Sequence, residues 1–445
     1  MKRILFITTV AMLTASLTTF AGNGKNKTDD GGAIPVNVRN DEIIKTGWNI
    51  GLLPAFNYNN DLGFMGGVLG QVFHYGDGAD YPEYRHKFTV LASIYSKGAK
   101  QLSFDYDSKH LIAGKRVTAH VEYMDNPLCG FYGFNGAVSP YHADLDLRKS
   151  SDGEDGIAFY ADYQKRFMAS LDLQGRLNDH MNWIGGASYS YQIYSDVSIH
   201  PYDGTQTLFH QYVESGLIPE GDTRGHRLGL KAGILYDTRD FEANPERGVY
   251  ASVTLDGGAS FFSQNRASLG FSADFRHYVP VLPSRLTFAY QLSCSSLLAG
   301  SLPFYALPAF AMRGSFGSRI TGAGVAWASA DLRLKVASFN ALRQNFELGL
   351  VAFADAGAVV KPYGLAEQTQ LGNCVMSKTL DGTASGTYRT VFDADIAARE
   401  RLHASAGGGF FFSMNHNFIT VVELGRPLNP QDGTMGVYVN LGFSF

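Results

Sequence analysis

Apolar and polar residues alternate with period two along most of the chain from about residue 46 onward. In "RLGLKAGILYDT", Leu228, Leu230, Ala232, Ile234 and Tyr236 share a face opposite Arg227, Lys231 and Asp237. "VYASVTLDG" sets Val249, Ala251, Val253 and Leu255 against Tyr250, Ser252, Thr254 and Asp256. "AWASADLRLKV" sets Ala326, Ala328, Ala330, Leu332, Leu334 and Val336 against Trp327, Ser329, Asp331, Arg333 and Lys335. This period marks strands with two unlike faces. One face is purely apolar and the other small or polar, which suits a strand with lipid on one side and a polar lumen on the other. The last ten residues, "GVYVNLGFSF", follow the same rule and place Phe443 and Phe445 on the lipid face.

Segments of this kind begin near residues 48, 62, 86, 100, 115, 157, 181, 226, 247, 265, 283, 323, 344, 402, 417 and 435. They number sixteen, and an even number lets both chain ends lie on one side of a closed sheet. Short joins such as "DFEANPERG" and "PVLPSR" alternate with long ones near 134–156, 199–225, 297–322 and 359–400. The pattern predicts an all-β fold: a transmembrane antiparallel β-barrel of about 16 strands over 46–445, with short inner turns and long outer loops. A soluble two-sheet protein accounts for neither the purely apolar faces nor the terminal Phe.

Composition sharpens the picture only in part. The 50 Gly, 24 Tyr and 31 Phe fit tight strand packing and aromatic girdles. Residues 1–21, "MKRILFITTVAMLTASLTTFA", have a basic start, a short apolar run and a small-residue cleavage site near Ala21, the layout of a secretory signal peptide. Residues 22–45 then read as a short flexible periplasmic lead-in. Together these predict the outer membrane of a Gram-negative bacterium, with outer-membrane lipids as the surroundings. A net charge of −4 without a basic run gives no reason to expect nucleic acid. Cys129, Cys294 and Cys374 have no metal spacing and read as isolated thiols.

Enzyme signatures are missing: there is no GxSxG, HExxH or GxxxxGK[ST]. His142 near Asp144 and Asp146, and the loop bearing Asp152, Glu154 and Asp155, lack a full set of metal ligands. The expectation is a protein that is not an enzyme, with no cofactor and no metal. A lipid hydrolase would need a Ser–His pair at the bilayer rim, which the sequence does not reveal.

One constellation stands out. The long segment 297–322, "LAGSLPFYALPAFAMRGSFGSRITGA" from Leu298 on, carries no charge until Arg313. A loop in water is normally more polar. Asp331 follows on the next strand, and parity in "FELGLVAFADAG" turns Glu347 and Asp355 inward. A loop folded back into the lumen would bring Arg313 to these acids; the pattern leaves open whether it meets Asp355 or Asp331. The first strand, "WNIGLLPAFNY", holds Gly51 and Pro54. Pro cannot donate to a ladder and Gly weakens one, so a short seam is expected where the first strand meets the last.

"MRGSFGSRITG", "ADLRLKV", "VAFADAG", "SAGGGFFF" and the terminal strand, in this order, resemble the BamA/TamA family of outer-membrane barrels, the bacterial surface antigen superfamily. "LKAGILYDTRDFEANPERGVYASV", "PAFNYNNDLGFMGGVLGQVF" and "FYGFNG" resemble further strands of that family. The resemblance implies a sixteen-stranded barrel plugged by its sixth outer loop. The family's Arg-Gly-aromatic motif falls on Arg313 and Gly314, with Ser315 in the aromatic's place and Phe316 one later. Its lumenal Phe-x-Asp-x-Gly pattern falls on Phe353, Asp355 and Gly357, and its acid on the intervening strand on Asp331. Only about 25 residues separate Ala21 from the first strand, too few for the family's periplasmic POTRA domains. The expected role is outer-membrane assembly or maintenance, within a larger complex of assembly proteins or lipoproteins. A gated transport pore is the alternative, and a homodimer is left open.

Overall fold

The computed structural model describes residues 43–59, 62–136, 141, 145–146, 158–200, 202, 204, 207–262, 265–317, 319–364 and 401–445. The expected signal peptide, most of the expected lead-in, His142, Asp144, Cys374 and the acidic loop at 152–155 lie outside these residues.

The alternating segments form strands β1 (Trp48–Asn59), β2 (Gly63–His74), β3 (His86–Tyr95), β4 (Lys100–Ile112), β5 (Lys115–Gly130), β6 (Ala161–Arg176), β7 (Met181–Ser195) and β8 (Arg224–Asp237). They continue as β9 (Gly248–Phe261), β10 (Arg266–Leu282), β11 (Leu286–Gly300), the short β12 (Ala309–Phe310) and β13 (Ile320–Thr321), then β14 (Gly324–Ala341) and β15 (Gln344–Lys361). The last three are β16 (His403–Met414), β17 (Phe418–Pro427) and β18 (Gly436–Leu441). All but β12 and β13 join one antiparallel 16-stranded sheet in sequence order. The expected faces hold: Leu228, Leu230, Ile234, Val253, Leu255, Leu332, Leu334, Leu348 and Leu350 point outward and exposed. Their exposed area is what a bilayer covers.

The wall is uneven. β14 and β15 have 18 residues each, and β18 has 6. β1 pairs along its full length with β2, Gly51 opposite Gln71 and Pro54 opposite Val68. As an edge strand, β1 tolerates a residue without an N–H. Cα atoms of β1 and β18 approach within 8 Å, yet among the described residues no ladder joins them.

The C-terminus departs from the alternation. β18 ends at Leu441 and Gly442 adopts φ +84°, a left-handed conformation that side chains disfavour. There the chain turns into the lumen. The Phe443 ring lies 5.1 Å from Phe411 and 3.9 Å from the Arg333 guanidinium. Phe445 is buried against Tyr278 and Ala289, and Arg333 Nη2 donates to its carbonyl at 3.2 Å. The cation and the lumenal rings outcompete lipid for these two side chains.

The outer end is roofed by loops. Phe131, Tyr132, Phe134, Phe159, Tyr160, Tyr194, Phe304 and Phe316 form an apolar core there. The helix α1 (Leu208–Glu214), capped by Thr207 accepting from His210 N, adds Leu208, Phe209 and Tyr212.

Candidate functional site

The loop between β11 and β14 folds into the lumen as a hairpin whose base is β12 paired with β13. Phe310 of β12 stacks on Trp327 at 6.1 Å and packs with Met312, Ile320, Val325 and Val359. This apolar base explains why the loop lacks charge before Arg313: its residues face the inner wall rather than water.

Arg313 at the tip is 7% exposed. Its Nε and Nη2 donate to Asp355 Oδ2 and Oδ1 at 2.9 and 2.6 Å, and its backbone N donates to Oδ2 at 3.0 Å. Nη1 donates to Glu423 Oε1 at 2.7 Å. Nη2 also lies 3.0 Å from Asp331 Oδ1, whose other oxygen takes Arg333 Nη2 at 2.9 Å. Beneath the guanidinium, 3.7 Å away, lies the Phe353 ring. Burial works to lower the Arg313 pKa. The bonds Arg313 donates to Asp355 and the charges of Asp331, Asp355 and Glu423 outweigh it, so the pKa rises and the cation is held.

The wall is shaped for this tip. Asp331, Asp355 and Glu423 project from β14, β15 and β17. Between β15 and β17, β16 turns glycines inward: a Cβ on Gly407 would lie 2.5 Å from the Phe353 ring and 2.0 Å from Leu424 O. Gly314 has φ +102°, and a Cβ there would meet Arg426 N and Gly425 C at 2.7 Å. Loop and strand backbones thus touch directly. Tyr438 of β18, across from Glu423 in the ladder, completes the seat. Its hydroxyl accepts from Gly314 N at 2.9 Å and donates to Ser315 O at 3.3 Å.

Ser315 and Phe316 divide the role expected of one aromatic. Ser315 Oγ donates to Met312 O at 2.8 Å and closes the turn. Phe316 stacks on Tyr132 at 5.2 Å and meets the Tyr141 ring at a tilt, 4.7 Å away, linking the tip to the outer roof. A second buried cluster secures the returning limb: Arg319 Nη1 donates to Gly136 O at 2.8 Å, Arg319 lies 3.6 Å from Asp432, and Asp432 meets His403 Nδ1 at 2.8 Å.

Of the three acids expected to face Arg313, the structure brings two to it. Glu347 instead meets Lys335 Nζ at 2.7 Å and accepts from Asn244 at 3.3 Å, near the inner mouth. Its face follows parity, but it sits eight residues below Asp355 on the same strand. Sequence reading missed Glu423 and Tyr438. In "FITVVELGRP" the outward Val422 and Leu424 flank Glu423, and that parity was the available signal.

A rim Ser–His pair does exist: Ser108 Oγ and His86 Nδ1 are 2.9 Å apart. Ser108 is fully buried, donates to Arg85 O at 2.9 Å, and accepts from His110 N and Leu111 N at 3.1 and 3.0 Å. Those bonds staple the register break in β4 and leave no hydroxyl exposed for attack. Among the described residues no group of three or more His, Cys, Asp or Glu could hold a metal ion.

The Omp85 superfamily domain matches residues 112–445. BamA from Haemophilus ducreyi lacking POTRA domains 1–3 is 14% identical with a TM-score of 0.49, the match covering 98% of this chain and 78% of that one. CdiB from Escherichia coli is 10% identical with a TM-score of 0.48, covering 88% of this chain and 63% of that one. CdiB from Acinetobacter baumannii is 10% identical with a TM-score of 0.43, covering 90% and 61%. None of the curated protein sequences matches the chain. The family domain spans well over half of the chain, and with its sixteen-stranded sheet the chain belongs to the Omp85 superfamily as an outer-membrane β-barrel of the BamA/TamA type.

Proposed function

We propose that this barrel serves in building or maintaining the outer membrane and acts through its seam. The observation that carries the reading is the mismatch of the two end strands: 12 residues in β1 and 6 in β18, with no ladder between them among the described residues. At about 3.4 Å per residue, β18 spans only about 20 Å, less than the roughly 30 Å hydrocarbon core even before tilt. A short wall thins the bilayer beside it. Among the described residues β1 has a ladder on one edge alone, and a strand edge facing lipid favours any strand or partner that satisfies it. The plugged lumen directs the activity to this edge. Outer-membrane assembly proteins or lipoproteins are the partners this reading implies.

The test is a cross-seam lock. Cysteine pairs scanned over Ile50 and Leu52 against Val437 and Val439 would be oxidised in cells lacking the native copy. A locked seam should reproduce the deletion phenotype in outer-membrane integrity, and reductant should restore function. A locked barrel that supports a normal membrane sinks the reading.

A second reading, a gated pore, rests on the plug being pinned by one cation. Under it, Arg313→Ala raises single-channel conductance once the inner mouth is opened as well; no rise in such a barrel removes it.

A further inference from the structure

We propose that the lumen has a second closure at its periplasmic mouth, built from the β8–β9 turn and held independently of the outer plug. A ten-residue turn below two neighbouring strands would ordinarily touch only the adjacent hairpins. Residues 238–247 instead reach two distant walls. On one side, Glu242 lies 2.8 Å from Arg116 Nη1 of β5 and 3.6 Å from Lys109 Nζ of β4. On the other, Ala243 packs with Val351, Phe411, Ile419 and Val421 of β15, β16 and β17. Asn244 donates to Glu347 at 3.3 Å, and Glu246 meets Lys335 of β14 at 3.0 Å. In the strand order, β5 lies three places from β8 and β17 six places from β9. A turn that meets both walls crosses the lumen.

Two features make it a built element. Asp240 Oδ1 accepts from Phe241 N at 2.9 Å and Glu246 N at 3.0 Å, which fixes the turn's shape from within. Phe241 is 5% exposed although it sits in a turn at the aqueous end, so the mouth is covered there. The segment 75–85 closes on the same catch. Glu83 meets Lys109 at 2.5 Å, and the Tyr84 hydroxyl donates to Asp107, itself 2.6 Å from Arg116. Its far side is tied down as well, with Asn417 Nδ2 donating to Pro82 O at 2.6 Å and Asn345 to the Tyr81 hydroxyl at 3.0 Å. Arg116 and Lys109 therefore receive both inner segments, while Arg313 holds only the outer loop. Releasing one closure leaves the other shut.

The experiment is conductance of the purified full-length barrel in planar bilayers. It compares wild type, Arg313→Ala, Glu242→Ala with Glu246→Ala, and all three changes together. Heat-shifted migration on gels verifies folding of each. The combined variant is expected to open on the order of tenfold more often than Arg313→Ala, the population shift that loss of a partly buried ion pair brings. A combined variant no more conductive than Arg313→Ala overturns the proposal. Should the combined variant fail to fold, Glu242→Cys and Arg116→Cys are joined, in the Arg313→Ala background, by a reducible thiol crosslinker long enough to replace the two side chains. Reductant should then raise conductance, and no response to reductant overturns the proposal equally.

Discussion

The wall that receives the plug and the wall that forms the seam are only two strands apart, yet they are built oppositely. β14 and β15 pair from Gly324 opposite Lys361 to Ala341 opposite Gln344. At about 3.4 Å per residue each extends about 60 Å. This wall carries Asp331, Phe353 and Asp355, so the charged site rests on the longest ladder in the sheet. β18 pairs with β17 over six residues and, among the described residues, has no ladder to β1. The difference teaches that rigidity has been placed where a buried cation must be held to within tenths of an ångström. Looseness has been placed where the sheet begins and ends. Tyr438 links the two, because a residue of the loose strand contacts the plug tip through Gly314 and Ser315.

The largest expected effect is in hydrogen exchange. Amides of β14 and β15 should exchange only through global unfolding, and those of 48–58 and 436–441 through local opening. For a barrel stable by 5–15 kcal/mol the two rates differ by at least about a thousandfold. Uniform protection around the barrel would break the comparison.

Next in size is the pin itself. Asp355→Ala leaves Arg313 buried without its two-pronged partner, which costs about 3–5 kcal/mol. Protease should then cleave the loop around 313–318 in the folded, detergent-solubilised barrel. Glu347→Ala lies on the same strand but meets Lys335, so it should leave the loop protected. Equal protection in both variants would detach the plug from this wall.

Much of this was legible in the chain. Strand starts lie within four residues of those expected from alternation, the widest gap being 157 against Ala161. Period two also fixes which side chains face inward, so Asp331, Asp355 and Glu347 all point to the lumen. What alternation does not encode is height along the barrel or reach across it. Glu347 and Asp355 share a face but sit at different heights in the lumen, eight residues apart on β15. Glu423 belongs to a strand 110 residues after Arg313, and only the folding of the loop against the wall of β14 to β17 makes them neighbours. The inward turn at Gly442 was hidden because Phe443 and Phe445 continue the period; the deciding partner, Arg333, lies on another strand.

Acid should act on the inner mouth rather than on the backbone ladder of the tall wall. Burial pushes the Glu242 carboxyl up, but Arg116, Lys109 and Arg239 outweigh it and hold its pKa at about 2, against 4.5 ordinarily. A carboxyl depressed in the folded state contributes stability that is present above pH 4.5 and lost as pH falls through 2. The side chain is a third exposed, so screening reduces the effect. Urea midpoints of the wild type should fall between pH 4.5 and 2, and those of Glu242→Gln should fall less. Parallel curves would show that the turn adds nothing to stability.

The smallest effect concerns the chain end, on the loose side of the comparison. Phe445→Ala removes a ring 5.2 Å from Arg333 that packs on Tyr278. Cation–π attraction of this kind contributes about 1 kcal/mol. Because Phe443 remains against Arg333 at 3.9 Å, the tail should stay inside and the midpoint drop only slightly. Exchange should quicken at 436–441 and stay unchanged in β14–β15, since Asp331 still holds Arg333. Gly442→Val separates the tuck from the ring: a branched side chain disfavours φ +84°. It should return Phe443 and Phe445 to the outer face that alternation assigns them, lengthening β18 and tightening the seam. Slower exchange in 436–441 for Gly442→Val, with faster exchange for Phe445→Ala, would mean that the inward turn keeps the last strand short. Faster exchange in both would mean that the tail only anchors it.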